Sequence, residues 1–173
     1  MNLVLKATQF AALKHRYQRR KDGKTPYIIH PISVAMILAE IGGIDDPEIL
    51  SAALLHDTIE DTDTSAHELD KEFGSRVRII VEELTDNNKL TISQRRQLQI
   101  DNAPHLSKDA TVVKIADKTS NVSDVIKNPP TEWNHKRCTE YIDRAEEGIN
   151  NCQKVNQELE NHFFGLLTEF RKL

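Results

Sequence analysis

Apolar residues recur at helical spacing along nearly the whole chain. In the segment SRVRIIVEELTD, for example, Val77, Ile80, Val81 and Leu84 follow the i, i+3, i+4, i+7 pattern of an amphipathic helix. The same periodicity predicts helices in LVLKATQFAALK, PISVAMILAEIGG, DPEILSAALLHDTIED, TSAHELDKEFG, SQRRQLQIDNA, DATVVKIADKTSNVSDVIK and the C-terminal segment. The pattern therefore predicts an all-α fold, a single domain over residues 1–173 that forms a bundle of about eight to nine helices.

Local signals mark several helix boundaries. Ser65 and Glu68 have the spacing of a capping box, and Gly74 follows as a stop signal. Two consecutive prolines in NPPTEW predict a loop, because proline cannot continue a helix. A further break is expected near residues 150–152.

Composition narrows the class of protein. The 173 residues are 38% hydrophobic and 29% charged, which is typical of a helical domain with a substantial core. The net charge of −4 argues against a nucleic-acid or anionic membrane partner. No apolar run approaches the roughly 20 residues that span a bilayer. The N-terminal residues lack a signal-peptide pattern, and Cys138 and Cys152 do not form a disulfide framework. We therefore expect a cytoplasmic protein with free thiols.

The segment AALLHDTIED carries the first candidate chemistry. In a helix, His56 lies above Glu60 and Asp57 above Asp61, because residues four apart share a face. Three carboxylates near a helix C-terminus are unfavourable, because that end of the helix dipole is also negative. A bound cation would offset this repulsion. The segment is therefore either half of a metal site or a solvated acidic helix end.

Two other segments can complete a metal site. His30 precedes Pro31, which holds it out of helical geometry at a helix start. Asp117 follows an apolar helix face, where an acid needs a partner; Lys114 or Lys118 is the alternative to a metal. Two imidazoles and two carboxylates without thiolate suit Mn²⁺, Fe²⁺, Zn²⁺ or Mg²⁺.

The order H…HD…D resembles the HD superfamily of metal-dependent phosphohydrolases. The neighbouring segments TPYIIHP, ALLHDTIEDTDT, FGSRVRIIVEELTD and VKIADKTSN are similar to the hydrolase domain of RelA/SpoT homologues, enzymes that degrade (p)ppGpp. The resemblance covers nearly the whole chain. Its length is similar to that of the stand-alone small alarmone hydrolases of the metazoan SpoT-homologue group.

This resemblance implies an activity and a set of site residues. The implied reaction is hydrolysis of the 3′-diphosphate of (p)ppGpp to GDP or GTP and pyrophosphate, with Mn²⁺ as cofactor. The implied metal ligands are His30, His56, Asp57 and Asp117, and the implied catalytic acids are Glu60 and Asp61. Which of the two acids is the general base is left open.

The resemblance also implies contacts to the nucleotide substrate. They fall on Arg20, Lys21, Asn121, Arg137 and Tyr141. Arginine suits stacking on a base and bidentate contact with phosphate. The basic run HRYQRRKDGKTPY has an alternative interpretation as a solvated helix end, and Tyr141 has one as a core residue.

Some positions depart from the family pattern. Thr119 and Ser120 stand where relatives often have a bulkier pair, Ser123 where some have arginine, and Ile92 where metazoan relatives have a basic residue. Substrate preference is thus open between guanine alarmones and (pp)pApp or NADPH. A non-catalytic alarmone-binding module is the alternative from another class. The sequence leaves the oligomeric state, including a homodimer, undecided.

Overall fold

The computed structural model describes residues 2–172. This part of the chain has nine α-helices of eight residues or more and one single-turn helix, α4. The helices are α1 (Leu3–Lys14), α2 (Ile29–Glu40), α3 (Pro47–Leu55), α4 (Thr58–Asp61), α5 (Ala66–Phe73), α6 (Ser75–Leu84), α7 (Ile92–Asn102), α8 (Lys108–Lys127), α9 (His135–Asn150) and α10 (Gln157–Phe170), with a 3₁₀ turn at Ala103–His105. The predicted all-α fold is confirmed.

Helices α3 and α8 form the centre of the bundle. Helix α3 packs against α1, α2 and α6, and α8 packs against α2, α9 and α10. The buried residues of α3 are Ser51 and small or branched apolar residues, and α8 has buried residues on more than one face. Both helices are therefore held on several sides, which makes them rigid supports for polar side chains at their ends and edges.

Helix α5 begins and ends where the local sequence signals predict, but only half of the predicted Ser65–Glu68 capping box forms. The Ser65 hydroxyl accepts a hydrogen bond from the Glu68 amide, and Gly74 ends α5 with a φ of 89°. The carboxylate of Glu68 pairs with Lys14 at 3.2 Å, on helix α1. The reciprocal capping box forms instead at Thr91 and Gln94, at the start of α7.

The predicted helix through residue 61 is interrupted at the His-Asp pair. Helix α3 ends at Leu55, and Thr58 begins the single turn α4, so His56 and Asp57 lie at the junction. Thr58 donates its hydroxyl hydrogen bond to the Leu55 carbonyl at 2.7 Å, which satisfies an acceptor exposed by the break. The bend aims both side chains at the same interior space.

The basic run forms a turn rather than a helix end. After α1, the backbone of Arg20 donates to the Thr25 carbonyl, and Arg19 forms an isolated bridge with Pro26. Asp22 stabilises the turn by accepting bonds from the Lys24 and Thr25 amides, each at 2.9 Å. A short hairpin-like loop thus directs Arg20 and Lys21 of this run toward the bundle.

The remaining loops agree with the predicted breaks. Residues 128–134 connect α8 to α9 through the two prolines, and residues 151–156 connect α9 to α10. Cys138 and Cys152 are both buried packing residues. Among the described helices, none combines the length and apolarity needed to cross a membrane.

Candidate metal centre and active site

Two histidines and an aspartate from three helices meet at one point. His30 of α2, His56 at the end of α3 and Asp117 of α8 place one ligand atom each within 4.8 Å of the others. His30 Nε2 lies 3.1 Å from Asp117 Oδ1, and His56 Nε2 lies 3.7 Å from the same oxygen. Three elements distant in sequence therefore supply donors to one small volume.

Asp57 adds a fourth donor to this group. Its Oδ2 atom lies 3.1 Å from His56 Nε2 and 3.8 Å from His30 Nε2. Tyr27 donates its hydroxyl hydrogen bond to the same oxygen at 2.7 Å. The tyrosine thereby limits the rotation of the carboxylate and holds it toward the two histidines.

Hydrogen bonds on the far side of each imidazole orient the two rings. His56 Nδ1 lies 2.7 Å from the Ala53 carbonyl, which can only accept, so Nδ1 carries the proton. His30 Nδ1 lies 3.1 Å from the Ser120 hydroxyl. In both residues Nε2 is the atom directed into the shared volume, an arrangement that is common around metal-binding histidines.

The buried Nε2 atom of His56 has no hydrogen-bond partner of suitable geometry. An unpaired polar atom inside a protein is costly, although carboxylate oxygens lie close to this one. Two imidazole nitrogens and two carboxylate oxygens around an unpaired nitrogen fit a divalent cation with mixed N and O ligands. The residues present are therefore consistent with a metal centre.

Without a cation, protons balance the charges of this cluster. Burial opposes the charged form of His56, but Asp57 and Asp117 outweigh it and raise the His56 pKa well above its usual value. Burial lowers the pKa of His30, which Asp117 only partly offsets. For Asp117, burial is outweighed by Lys118 and the two histidines, so its pKa is well below the ordinary range. A metal ion would thus compete with a proton on His56.

Asp117 is also held by residues of its own helix. Lys118 Nζ lies 3.1 Å from Asp117 Oδ2, and Asn121 donates to Oδ1 at 2.6 Å. Asp117 therefore forms the ion pair with Lys118 that the sequence offered as an alternative, and it contacts both histidines as well. Lys114 instead donates to the Gln99 carbonyl at 3.3 Å.

Glu60 and Asp61 project from α4 into the same region. Glu60 Oε2 accepts a hydrogen bond from the Asp86 amide at 2.9 Å, and Arg95 Nη1 lies 3.9 Å from Oε1. Burial raises the pKa of Glu60 to about 7 despite the Asp86 amide, with a contribution from Asp57. Burial and Asp57 also raise the pKa of Asp61. Both acids can therefore exchange protons nearer neutral pH than exposed carboxyls do.

One cavity of about 420 Å³ contains nearly all the predicted site residues. The six candidate metal-binding and catalytic side chains line it, together with Arg20, Lys21, Asn121 and Tyr141. Arg137 instead lines a neighbouring cleft on the outside of α9, where its guanidinium lies 4.7 Å from the centre of the Trp133 ring. The structure thus brings ten of the eleven predicted residues together.

The basic residues are fixed by contacts on both sides of the cavity. Arg20 donates to Asn121 at 2.9 Å and to Asp124 at 2.7 Å. Lys21 Nζ lies 4.6 Å from the centre of the Tyr141 ring and 5.0 Å from that of Trp133. These cation–π contacts hold the ammonium group near the cavity without neutralising its charge.

Sequence reasoning missed several supporting residues. His15 Nδ1 lies 2.6 Å from Gln18 Oε1, and Gln18 donates to the Asp61 carbonyl at 2.6 Å. The His15 ring also lies 4.9 Å from the Tyr27 ring. Tyr27 is three residues before His30, but the sequence contains no sign that its hydroxyl reaches Asp57. Except for the local His15–Gln18 pair, these contacts join segments that are distant in sequence, which periodicity cannot show.

The chain belongs to the HD-domain family: the model of that family, described as HD domain, matches residues 7–142. Among its relatives are enzymes named guanosine-3′,5′-bis(diphosphate) 3′-pyrophosphohydrolase MESH1. The Xenopus tropicalis enzyme is 48% identical over 94% of this chain and 93% of its own length. The human enzyme is 48% identical over 91% of this chain and 88% of its own length.

Solved structures agree with this assignment. The structure of a metazoan ortholog of SpoT that hydrolyzes ppGpp superimposes with a TM-score of 0.94 at 39% identity, covering 100% of this chain and 98% of that one. A Listeria monocytogenes protein superimposes with a TM-score of 0.67 at 22% identity, covering 84% of this chain and 96% of that one. The second similarity supports the fold alone.

Proposed function

We propose that this chain is a Mn²⁺-dependent hydrolase that removes the 3′-diphosphate of (p)ppGpp. The observation that carries the proposal is the meeting of His30, His56, Asp57 and Asp117 beside two carboxyl groups in a basic cavity. Its substrate is supported by similarity to enzymes named for this reaction, at 48% identity over more than nine-tenths of the chain. The products are pyrophosphate and GDP or GTP.

The four proposed metal ligands are His30, His56, Asp57 and Asp117. When bound, Mn²⁺ would lower the pKa of a coordinated water and offset the negative charge of the phosphates. Tyr27 and Asn121 act on the carboxylate ligands, to which they donate hydrogen bonds of 2.7 Å and 2.6 Å. These two residues fix the orientation of the carboxylates, because each donates its hydrogen bond along a defined direction.

Glu60 is our candidate for the general base. Its Oε2 atom accepts from the Asp86 amide, which leaves Oε1 to take a proton from the attacking water. A carboxyl group with a pKa of about 7 is suited to this task, because general bases are most effective near the operating pH. Asp61, whose backbone Gln18 holds, is proposed to orient the water.

The bond changes are those of a simple hydrolysis. The water oxygen forms a bond to the phosphorus attached to the ribose 3′ oxygen, and the bond from that phosphorus to the 3′ oxygen breaks. The 3′ oxygen leaves with the bonding electrons and takes up a proton, and the released group is pyrophosphate. Arg20, Lys21 and Lys118 line the same cavity and attract the polyanionic substrate.

The decisive experiment measures products from three nucleotides in parallel. The purified protein is incubated with ppGpp, pppApp and NADPH in Mn²⁺ and in EDTA, and released pyrophosphate and phosphate are quantified. We expect pyrophosphate from ppGpp only with Mn²⁺ present, and loss of it in Asp57→Asn. The matched control is Asp45→Asn, which removes an exposed carboxylate that does not line the catalytic cavity.

Other outcomes have defined meanings. Faster turnover of pppApp or NADPH than of ppGpp would assign a different substrate to the same site. Release that EDTA leaves unchanged would contradict the metal dependence. Binding of ppGpp without turnover of any of the three nucleotides would contradict the enzymatic proposal and favour an alarmone-binding module.

A further inference from the structure

A second cavity, of about 620 Å³, adjoins the catalytic cavity. The two share several lining residues, among them Lys21, Lys114, Lys118 and Tyr141. The second cavity continues between α7 and α9, where Arg96 and Arg144 join its lining. A nucleotide in the catalytic cavity could therefore extend into this space without leaving the protein surface.

The lining of the second cavity is strongly basic. It contains six cationic side chains against three carboxylates. The cations are Lys21, Arg95, Arg96, Lys114, Lys118 and Arg144, and the carboxylates are those of Glu60, Asp86 and Glu147. The whole chain has a net charge of −4, so this excess of positive charge is a local feature. Such a concave basic surface concentrates anions.

Arg95 has a donor without an acceptor. Its Nε atom is buried and lacks a hydrogen-bond partner, whereas Nη1 donates to Asn88 at 3.2 Å. The side chain is 28% exposed and lines both cavities. Among the described residues, the protein supplies only Asn88 as a close acceptor for this guanidinium, so its part that lines the cavities can pair with a phosphate through charge-assisted hydrogen bonds.

Arg144 is a half-buried cation that no carboxylate pairs with among the described residues. The acids next to it on α9, Asp143 and Glu146, pair with Arg171 instead. The Arg144 charge also lies close enough to Tyr141 to favour ionisation of its hydroxyl, although burial outweighs this and raises the Tyr141 pKa. The second cavity is thus lined by the Arg144 guanidinium from α9 and by Arg95 from α7.

We propose that the second cavity binds the 5′-phosphate chain of the nucleotide, with Arg95 and Arg144 as its anion-binding side chains. The inference rests on the proposed function for the placement of the 3′-diphosphate at the metal centre. In this proposal the two arginines select nucleotides that carry phosphates at both the 3′ and the 5′ position of the ribose. Arg144 is the better residue to test, because Arg95 also lies near Glu60.

The kinetic test compares two substrates that differ only at the 5′ position. These are ppGpp and guanosine 3′-diphosphate, which lacks the 5′-phosphates, and the quantity is the ratio of their kcat/KM values. In the wild-type protein we expect ppGpp to be preferred by at least about tenfold, the effect of one charged hydrogen bond. Arg144→Gln should lower this ratio about tenfold, and Arg144→Lys should retain most of it.

The control variant is Lys127→Gln, which removes an exposed cation at the end of α8, outside both cavities. It should leave the ratio at the wild-type value, which separates a local contact from a change in net charge. A wild-type ratio near one, or an unchanged ratio in Arg144→Gln with an unchanged melting temperature, would overturn the proposal.

A binding measurement tests the cavity without any turnover. Inorganic tripolyphosphate is titrated into the protein in EDTA by isothermal calorimetry, so that no metal-bound phosphate contributes. We expect binding that weakens about tenfold in Arg144→Gln and not in Lys127→Gln. The proposal would be overturned if Arg144→Gln and Lys127→Gln bound tripolyphosphate equally, or if the wild-type protein did not bind it. If no guanosine nucleotide is hydrolysed, the proposed function fails while this measurement still decides the anion site.

Discussion

The hydroxyl of Tyr27 donates a hydrogen bond to Asp57 Oδ2 at 2.7 Å. The two residues belong to different parts of the bundle, the loop before α2 and the junction between α3 and α4. Burial and the nearby carboxylate raise the pKa of Tyr27 far above its usual value, so the hydroxyl stays protonated and remains a donor. The proposed metal ligand Asp57 is therefore oriented by a residue outside the motif that contains it.

Replacing this tyrosine should weaken metal binding without unfolding the protein. Tyr27→Phe keeps the ring beside His15 and removes only the hydroxyl. We expect Mn²⁺ affinity to fall about 10- to 100-fold, the usual effect of losing such a support, and activity to recover at higher Mn²⁺. Calorimetric titration with Mn²⁺ measures this directly. Tyr17→Phe is the matched control, because Tyr17 is 84% exposed; equal affinities in all three proteins would refute the role of Tyr27.

Substitutions of Asp57 and Glu60 should have different effects on metal binding and on turnover. Asp57→Ala is expected to lose both, since it removes a proposed ligand. Glu60→Gln is expected to keep the metal and lose about 10²- to 10⁴-fold in kcat, the range for a missing general base. Metal content by elemental analysis and steady-state kinetics on the same samples provide the comparison. Turnover of Glu60→Gln at the wild-type rate would show that Glu60 is not the base.

The raised pKa of Glu60 also predicts a pH-dependent stability of the protein in EDTA. The group has a pKa of about 7 when folded and an ordinary value of 4.5, so between these values the folded protein binds more protons than the unfolded chain. Stability therefore falls as the pH rises through this window. The Glu60 side chain is 21% exposed, and solvent screens part of its charge. We therefore place the cost of its ionisation above pH 7 on the order of 2 kcal/mol.

Glu60→Gln removes this ionisation and should stabilise the metal-free protein at pH 8. We expect its melting temperature to exceed that of the wild type by about 4–8 °C at pH 8, since each kcal/mol shifts a domain of this size by about 2–4 °C. Most of the difference should disappear at pH 5, where wild-type Glu60 is protonated. Scanning calorimetry at both pH values is the measurement, and an equal difference at both would contradict the burial-driven pKa.

Asp124 should affect substrate binding through Arg20. Its carboxylate holds the Arg20 guanidinium at 2.7 Å, and Asp124 itself does not line the catalytic cavity. Asp124→Asn weakens a charge-assisted contact, which leaves Arg20 less well positioned. We expect KM for ppGpp to rise several-fold, with a smaller change in kcat, because the contact acts on binding rather than on the reacting atoms. Asp45→Asn is the control, and an unchanged KM in Asp124→Asn would contradict the role.

Two features of the fold show why sequence periodicity was only partly sufficient. The pattern predicted one helix through residues 47–61, whereas the chain bends at His56 and Asp57. Periodicity continues across such a bend, because its apolar residues still face the core. For the basic run, the sequence allowed either a solvated helix end or a contact with the substrate. In the structure this run forms a turn, which the hydrogen bonds to Asp22 stabilise.

By itself, the sequence determined the helical fold, the positions of most helices and the residue types suited to a metal centre. These follow from local properties: periodicity, caps and the donor atoms of each side chain. Only the tertiary structure decided that Tyr27 reaches Asp57, that Arg137 lies outside the main cavity, and that Arg95 and Arg144 face a second one. Such relations depend on how helices pack against one another, and packing brings together atoms whose separation along the chain contains no information about their distance in space.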